Sequence, residues 1–229
     1  MSNKILAFAE AKEGKFKNAA QEVVTEAKKL AEQLGSEFEI LTIGNNIEDE
    51  AKGLGAYGAK KVLVVDLKDL NSKSGNSGFE YSQSAFAKVI SEAAKSRGAD
   101  IILMSATSLG RDLAPRVAIK NESAIYPDVV DIQVDGGKVI AKKPVFAGKS
   151  YIKVKFNSDK IVLTLRPNVF KAEKTDGGDA GIEKLDAGSL NVTADDFKSV
   201  IKETKVTQAK MVQTIQAMYN YKIIRSRQR

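Results

Sequence analysis

Residues Ser105–Ala118 read Ser-Ala-Thr-Ser-Leu-Gly-Arg-Asp-Leu-Ala-Pro-Arg-Val-Ala, after the apolar run Ile101–Met104. The stretch is a strand end, a polar turn and a helix start. Pro115 has no amide hydrogen, and only the first four amides of a helix lack an intrahelical acceptor. An unkinked helix is therefore expected to take its first turn near Asp112–Pro115, leaving Ser105–Arg111 as a small-residue loop. Such a loop can hold an anion, because free amides and the helix dipole point at it. Thr107, Gly110 and Arg111 are the candidate anion-loop residues. In the alternative reading, Thr107, Ser108 and Asp112 simply cap the helix. Spacing alone favours capping. If the loop does more, Arg111 is the side chain to hold an anion or a partner carboxylate bidentately. Asp112 and Arg116 are four apart and form a helix pair worth only ~0.3–0.5 kcal/mol; no nucleophile accompanies them.

Upstream of this stretch, strand and helix patterns alternate. Residues 4–9 are a short apolar run suited to a buried strand. Phe16, Ala20, Val23, Ala27, Leu30, Ala31 and Leu34 recur at helical spacing, with Glu22 and Glu26 on the opposite face, and Gly35 can end that helix. Phe38–Ile43 and Lys61–Asp66 read as strands, Glu48–Leu54 as a short acidic helix and Asp69–Gly78 as a loop. Phe86, Val89, Ile90, Ala93 and Ala94 mark a further helix before the strand Asp100–Ser105. Four such alternations predict an α/β fold, a parallel sheet with helices on both faces. In such sheets ligands and partners meet the carboxyl ends of the strands. Two loops at such ends, Glu10–Lys15 and Ser105–Arg111, are candidates to lie side by side.

After Asn121 the pattern changes to short alternating runs: Val129–Val134, Lys138–Lys143, Tyr151–Phe156 and Lys160–Leu165. Gly136-Gly137 and Asn157-Ser158-Asp159 separate two pairs, which read as hairpins extending the sheet at one edge. Lys171–Gly188 is rich in Gly, Asp and Lys and reads as a linker or surface loop. Its Asp-Gly run lacks the calcium-loop pattern. Val192–Val206 reads as one more strand or a short helix.

Composition excludes whole classes of chemistry. The 229 residues contain no Cys, His or Trp. Disulfides, cysteine nucleophiles, zinc sites and Ser-His or Cys-His mechanisms are ruled out. The net charge of +7 is uneven. Residues 206–229 hold Lys210, Lys222, Arg225, Arg227 and Arg229 and no acid, so the body carries only +2. A basic tail of this size does not make the body a nucleic-acid binder. No apolar run approaches ~20 residues, and the amino terminus reads directly as a strand, so no leader and no membrane insertion are expected.

Four segments, in order, resemble the electron transfer flavoprotein alpha subunit family: Ser105–Ala118, Tyr126–Ile132 (Tyr-Pro-Asp-Val-Val-Asp-Ile), Val145–Lys149 (Val-Phe-Ala-Gly-Lys) and Thr164–Phe170 (Thr-Leu-Arg-Pro-Asn-Val-Phe). Their order and spacing carry the resemblance, which spans about residues 1–206. It implies an adenine-nucleotide-hydrolase-like, Rossmann-like N-terminal domain and a C-terminal domain that holds FAD. It also implies a heterodimer with a beta subunit. The complex would be cytoplasmic, carrying electrons from acyl-CoA-type dehydrogenases toward a quinone reductase, with no protein-borne catalytic residue. The alternative is an ATP- or AMP-binding module of the same superfamily, although the loop after the fourth strand carries only Gly110.

The resemblance sets the expected boundaries: an α/β domain over 1–170, a linker with one possible extra strand over 171–205, and a basic tail over 206–229. Beyond Val212 the family continues into a Gly-rich phosphate loop, whereas no Gly follows Gly188 here. Without glycine the backbone cannot approach a pyrophosphate closely. The expectation is a chain truncated or frame-shifted just past the start of the flavin domain, with Val206–Val212 as an orphan strand and no FAD held by this chain alone.

Overall fold

The computed structural model describes residues 4–74 and 81–197. In chain order they form β1 (Lys4–Phe8), β2 (Ala11–Lys12), β3 (Lys15–Phe16), α1 (Asn18–Leu34), β4 (Phe38–Gly44), α2 (Glu48–Lys52), a 3-10 turn (Gly53–Tyr57), β5 (Lys61–Asp66), α3 (Leu67–Ser74), α4 (Gln83–Arg97), β6 (Ala99–Ser105), α5 (Ser108–Asn121), β7 (Ala124–Val129), β8 (Asp131–Asp135), β9 (Lys138–Val145), β10 (Ser150–Lys155), β11 (Ile161–Leu165) and β12 (Gly181–Lys184). The tail over 206–229 and the proposed orphan strand lie outside the described residues.

Seven strands make one parallel sheet in the order β12-β5-β4-β1-β6-β11-β7. The alternation read from the sequence thus becomes an α/β sandwich. Along β1, Ile5 and Ala7 face one apolar core and Leu6 and Phe8 the other, as the two-residue period of a strand requires. The first core is closed by α1 and the second by α4 and α5. Gly35 ends α1 in the left-handed conformation at φ 61°, its amide bonding back to Ala31 and Glu32. Among the described residues, no helix is long and apolar enough to cross a membrane.

The antiparallel strands form a separate three-stranded sheet, β10-β9-β8, rather than hydrogen-bonding onto the large one. It hangs from the edge, because β8 continues from β7 past Val130, whose amide donates to Lys142. Ile161–Leu165 is not the partner of Tyr151–Phe156. It inserts as β11, parallel, between β6 and β7. All five of its residues are buried, and a near-continuous apolar run of this kind suits a strand covered on both faces.

The segment expected to be a linker is docked. β12 pairs in parallel with β5, and Thr175, Ala180 and Gly181 donate amides to Ala56, Lys52 and Lys60 at 2.7–3.0 Å. The Gly-rich composition serves close approach. A Cβ on Gly55 would lie 2.1 Å from the Gly178 carbonyl oxygen. Arg97 and Lys61 bind Glu183 from the strand's flanks. Leu190, Val192 and Phe197 are buried in the second core. Leu67–Ser74 is helical rather than loop, since Leu67 and Leu70, one turn apart, bury against that core.

One face of α1 also differs from expectation. Glu22, placed toward solvent by its spacing, is buried and accepts the Asn168 amide at 3.1 Å. The Glu173 amide donates to Thr25, and Lys29 pairs with Glu173 at 3.1 Å. The chain after β11 runs over this face, a long-range event that helical periodicity does not register.

Candidate functional site

The chain steps from β1 outward through β4 to β5, then crosses to the other side of β1 for β6. The carboxyl ends of β1 and β6 therefore flank the point where strand order reverses, which is where open α/β sheets place a crevice. The loops after these strands, expected to be neighbours, meet through a hydrogen bond from the Thr107 hydroxyl to the Glu10 carboxylate. They wall a cleft of about 760 Å³ with Lys12, Lys17, Asn45, Tyr81 and Asp112.

α5 begins at Ser108, not near Asp112, so Pro115 lies inside the helix. Pro115 has no N–H for the Arg111 carbonyl four residues earlier, and both residues are exposed. Water on that face can take the missing bond, which removes much of the cost of an internal proline. Thr107 is the N-cap: its oxygen accepts the Gly110 amide at 3.1 Å. The capping reading of Thr107 therefore holds. Ser108 and Asp112 sit within the helix, and Asp112 accepts from Tyr81 at 2.8 Å instead.

Gly110 serves packing. A Cβ there would lie 1.8 Å from the Ser105 carbonyl oxygen, so the helix start presses directly on the end of β6. Arg111 does not line the cleft. Its charge instead helps hold the Asp128 carboxyl below the usual range. The Tyr81 phenol is pushed up, first by burial and then by its bond to Asp112, so it remains a protonated donor.

This geometry does not fit a pyrophosphate such as FAD carries. The Thr107 proton is given to Glu10, and Glu10, Glu13 and Asp112 put three carboxylates around the cleft against two lysines. An incoming phosphate would meet like charge where a phosphate loop offers free amides.

A second constellation lies at the carboxyl ends of β11 and β7. The Arg166 guanidinium grips Asp128 through both oxygens, Nε to Oδ1 at 2.9 Å. Asp128 has φ 63°, a left-handed conformation that Asp tolerates better than most side chains. Its carboxyl lies below the usual range, chiefly because of Arg166, with Arg111 and Lys143 adding to the effect. The Ala106 amide donates to Leu165 and the Arg166 amide to Val129. Lys143 lies over the Tyr126 ring at 5.1 Å, and the Tyr126 hydroxyl donates to Ile152. Ser105–Ala118, Tyr126–Ile132 and Thr164–Phe170 thus converge on one corner. Residue types alone did not single out Asp128 and Arg166. The available signal was that each sits beside a proline at a strand end, in Tyr-Pro-Asp and Arg-Pro-Asn.

Residues 5–190 match the family model described as electron transfer flavoprotein domain. The chain is 34% identical over 205 residues to the electron transfer flavoprotein subunit alpha of Thermoanaerobacterium thermosaccharolyticum, covering 86% of this chain and 59% of that one. It is 32% identical over 199 residues to Protein FixB of Clostridium saccharobutylicum, covering 86% and 56%. It is also 35% identical over 136 residues to the acryloyl-CoA reductase electron transfer subunit beta of Anaerotignum propionicum, covering 59% and 35%. The chain spans less than two thirds of the length of each of these relatives.

Proposed function

The chain belongs to the electron transfer flavoprotein family, and on that premise we propose that it is the pairing domain of an alpha subunit. It joins a beta subunit in a cytoplasmic heterodimer that carries electrons from acyl-CoA-type dehydrogenases toward a quinone reductase. The redox chemistry belongs to FAD held outside the described residues, and the domain supplies placement and electrostatics. No side chain of this domain takes part in a bond-making step. The name of the acryloyl-CoA reductase relative supports a redox partner that handles acyl-CoA substrates.

One observation carries this reading. Three segments far apart in the chain, Ser105–Ala118, Tyr126–Ile132 and Thr164–Phe170, gather at the Asp128–Arg166 corner, and Phe146, Tyr151, Ile152 and Val169 are exposed. The switch-point cleft shares Thr107, Ser108, Leu109 and Asp112 with the first of these segments, and its acidic walls do not suit an anionic ligand. The test is to co-express the full chain with the beta subunit of the same organism and resolve the mixture by size exclusion. The expected result is an equimolar complex. Elution of the two chains apart overturns the reading.

A further inference from the structure

The hairpin Lys138–Lys155 carries six lysines and no acid. Pairing of Lys142 with Lys153 and of Ile140 with Lys155 places Lys138, Lys142, Lys153 and Lys155 on one face of the small sheet. The other face turns Val139, Ala141 and Val154 into the core. β8 adds two acids to the outer face: Asp135 pairs with Lys155 at 2.9 Å, and Asp131 lies opposite Lys142 in register. Among the described residues, Lys155 alone of the six lysines forms an ion pair. The turn of the hairpin lifts Phe146 to 78% exposure between Lys143 and Lys149. Tyr151 and Ile152, at 57% and 46%, are adjacent in β10 and so point to opposite faces.

We infer that this hairpin docks the partner subunit, and that the partner offers an acidic face with an apolar recess for Phe146. The inference rests on the pairing reading above and adds its surface and chemistry. Charge complementarity selects the acid: a cationic face with so few internal counter-charges is matched by carboxylates and repels a basic protein. Exposed apolar side chains on both faces of β10 select a protein. A planar bilayer touches one face of a strand, whereas a protein groove wraps both. Stacking on nucleic-acid bases is disfavoured, because Lys142 covers the Tyr151 ring at 4.3 Å and Lys143 covers Tyr126. An aromatic knob in an apolar recess with charges at its rim is a common form of protein contact.

The experiment measures the affinity of the full chain for the beta subunit across a salt series. Lys142→Glu with Lys153→Glu is expected to weaken binding about tenfold or more and to flatten its salt dependence. Phe146→Ala is expected to cost about tenfold with salt dependence unchanged. Lys142→Gln with Lys153→Gln, which changes less charge, falls between. Lys68→Glu with Lys73→Glu, an equal charge change on α3 beside β5, leaves affinity as it was. All five substituted sites are exposed or half-buried, so thermal melts report directly whether each variant is folded. The inference is overturned if the hairpin variants bind like the parent, or if the α3 variant loses as much. It is equally overturned if the hairpin lysines govern binding to phosphatidylserine vesicles or RNA but not to the subunit. Failure of the unsubstituted chain to bind the subunit at all is a different outcome, which removes the pairing reading and this inference together.

Discussion

Asp128 and Arg166 stand 38 positions apart and join through two parallel N–H···O bonds at the corner where β7 and β11 end. Such fork-to-carboxylate pairs are stronger than single contacts. Both side chains are about one third exposed, so solvent screens the pair and its worth is about 1 kcal/mol. Asp128→Asn keeps a residue that tolerates the left-handed backbone and removes only the charge. We expect a loss of about that size in urea unfolding. The carboxyl is held below its ordinary range, so the stabilisation is present above that range and fades as pH falls through the lowered value. At pH low enough to protonate Asp128, parent and variant should converge. A constant gap across the acid range would contradict the assignment.

Glu26 behaves with the opposite sign. Burial pushes its carboxyl up to about 7, Lys29 works against this, and Asp131 and Glu173 add to it. An acid raised above its unfolded value stabilises the fold fully below about pH 4.5, and that contribution is lost as pH rises toward 7. The span corresponds to roughly 3 kcal/mol at most. Glu26→Gln, which keeps the neutral shape, should flatten the stability profile between these limits. A variant profile that still falls as steeply as the parent would remove Glu26 as the cause.

Two glycines separate steric from backbone effects. Gly110→Ala sets a methyl 1.8 Å from the Ser105 carbonyl oxygen, a backbone atom with little freedom to yield. The expected cost is about 1–3 kcal/mol, the usual range for overpacking. Gly35→Ala meets nothing within 4 Å but must hold φ 61°. Its cost is about 1 kcal/mol, from the left-handed conformation alone. Equal melting temperatures for Gly110→Ala and the parent would show that α5 does not press on β6 as described.

The switch-point cleft should ignore nucleotides. With Thr107 donating to Glu10 and three carboxylates on the walls, calorimetry with ATP or AMP at millimolar concentration is expected to give no binding heat. A saturable heat would reverse this reading of the cleft.

Much of the fold was legible in the residues before any coordinates. Alternating apolar runs and amphipathic spacing specified β1, α1, β4, β5, α4 and β6, because period and burial are local properties. The neighbouring loops after β1 and β6 followed from the general rule of parallel sheets. The site was less legible. Thr107 as a cap was within reach, since a cap depends on the next three residues.

The sequence by itself determined the α/β class, the helix and strand periods, the exclusion of thiol and imidazole chemistry, and the family segments. Tertiary structure alone decided that Ile161–Leu165 enters the parallel sheet, that Gly181–Lys184 forms its far edge, and that Glu22 is covered. It also decided that Asp128 meets Arg166, and that four lysines of one hairpin share a face. Each of these depends on which distant strand lies alongside, and pairing partners are chosen by the burial of whole faces rather than by any local run.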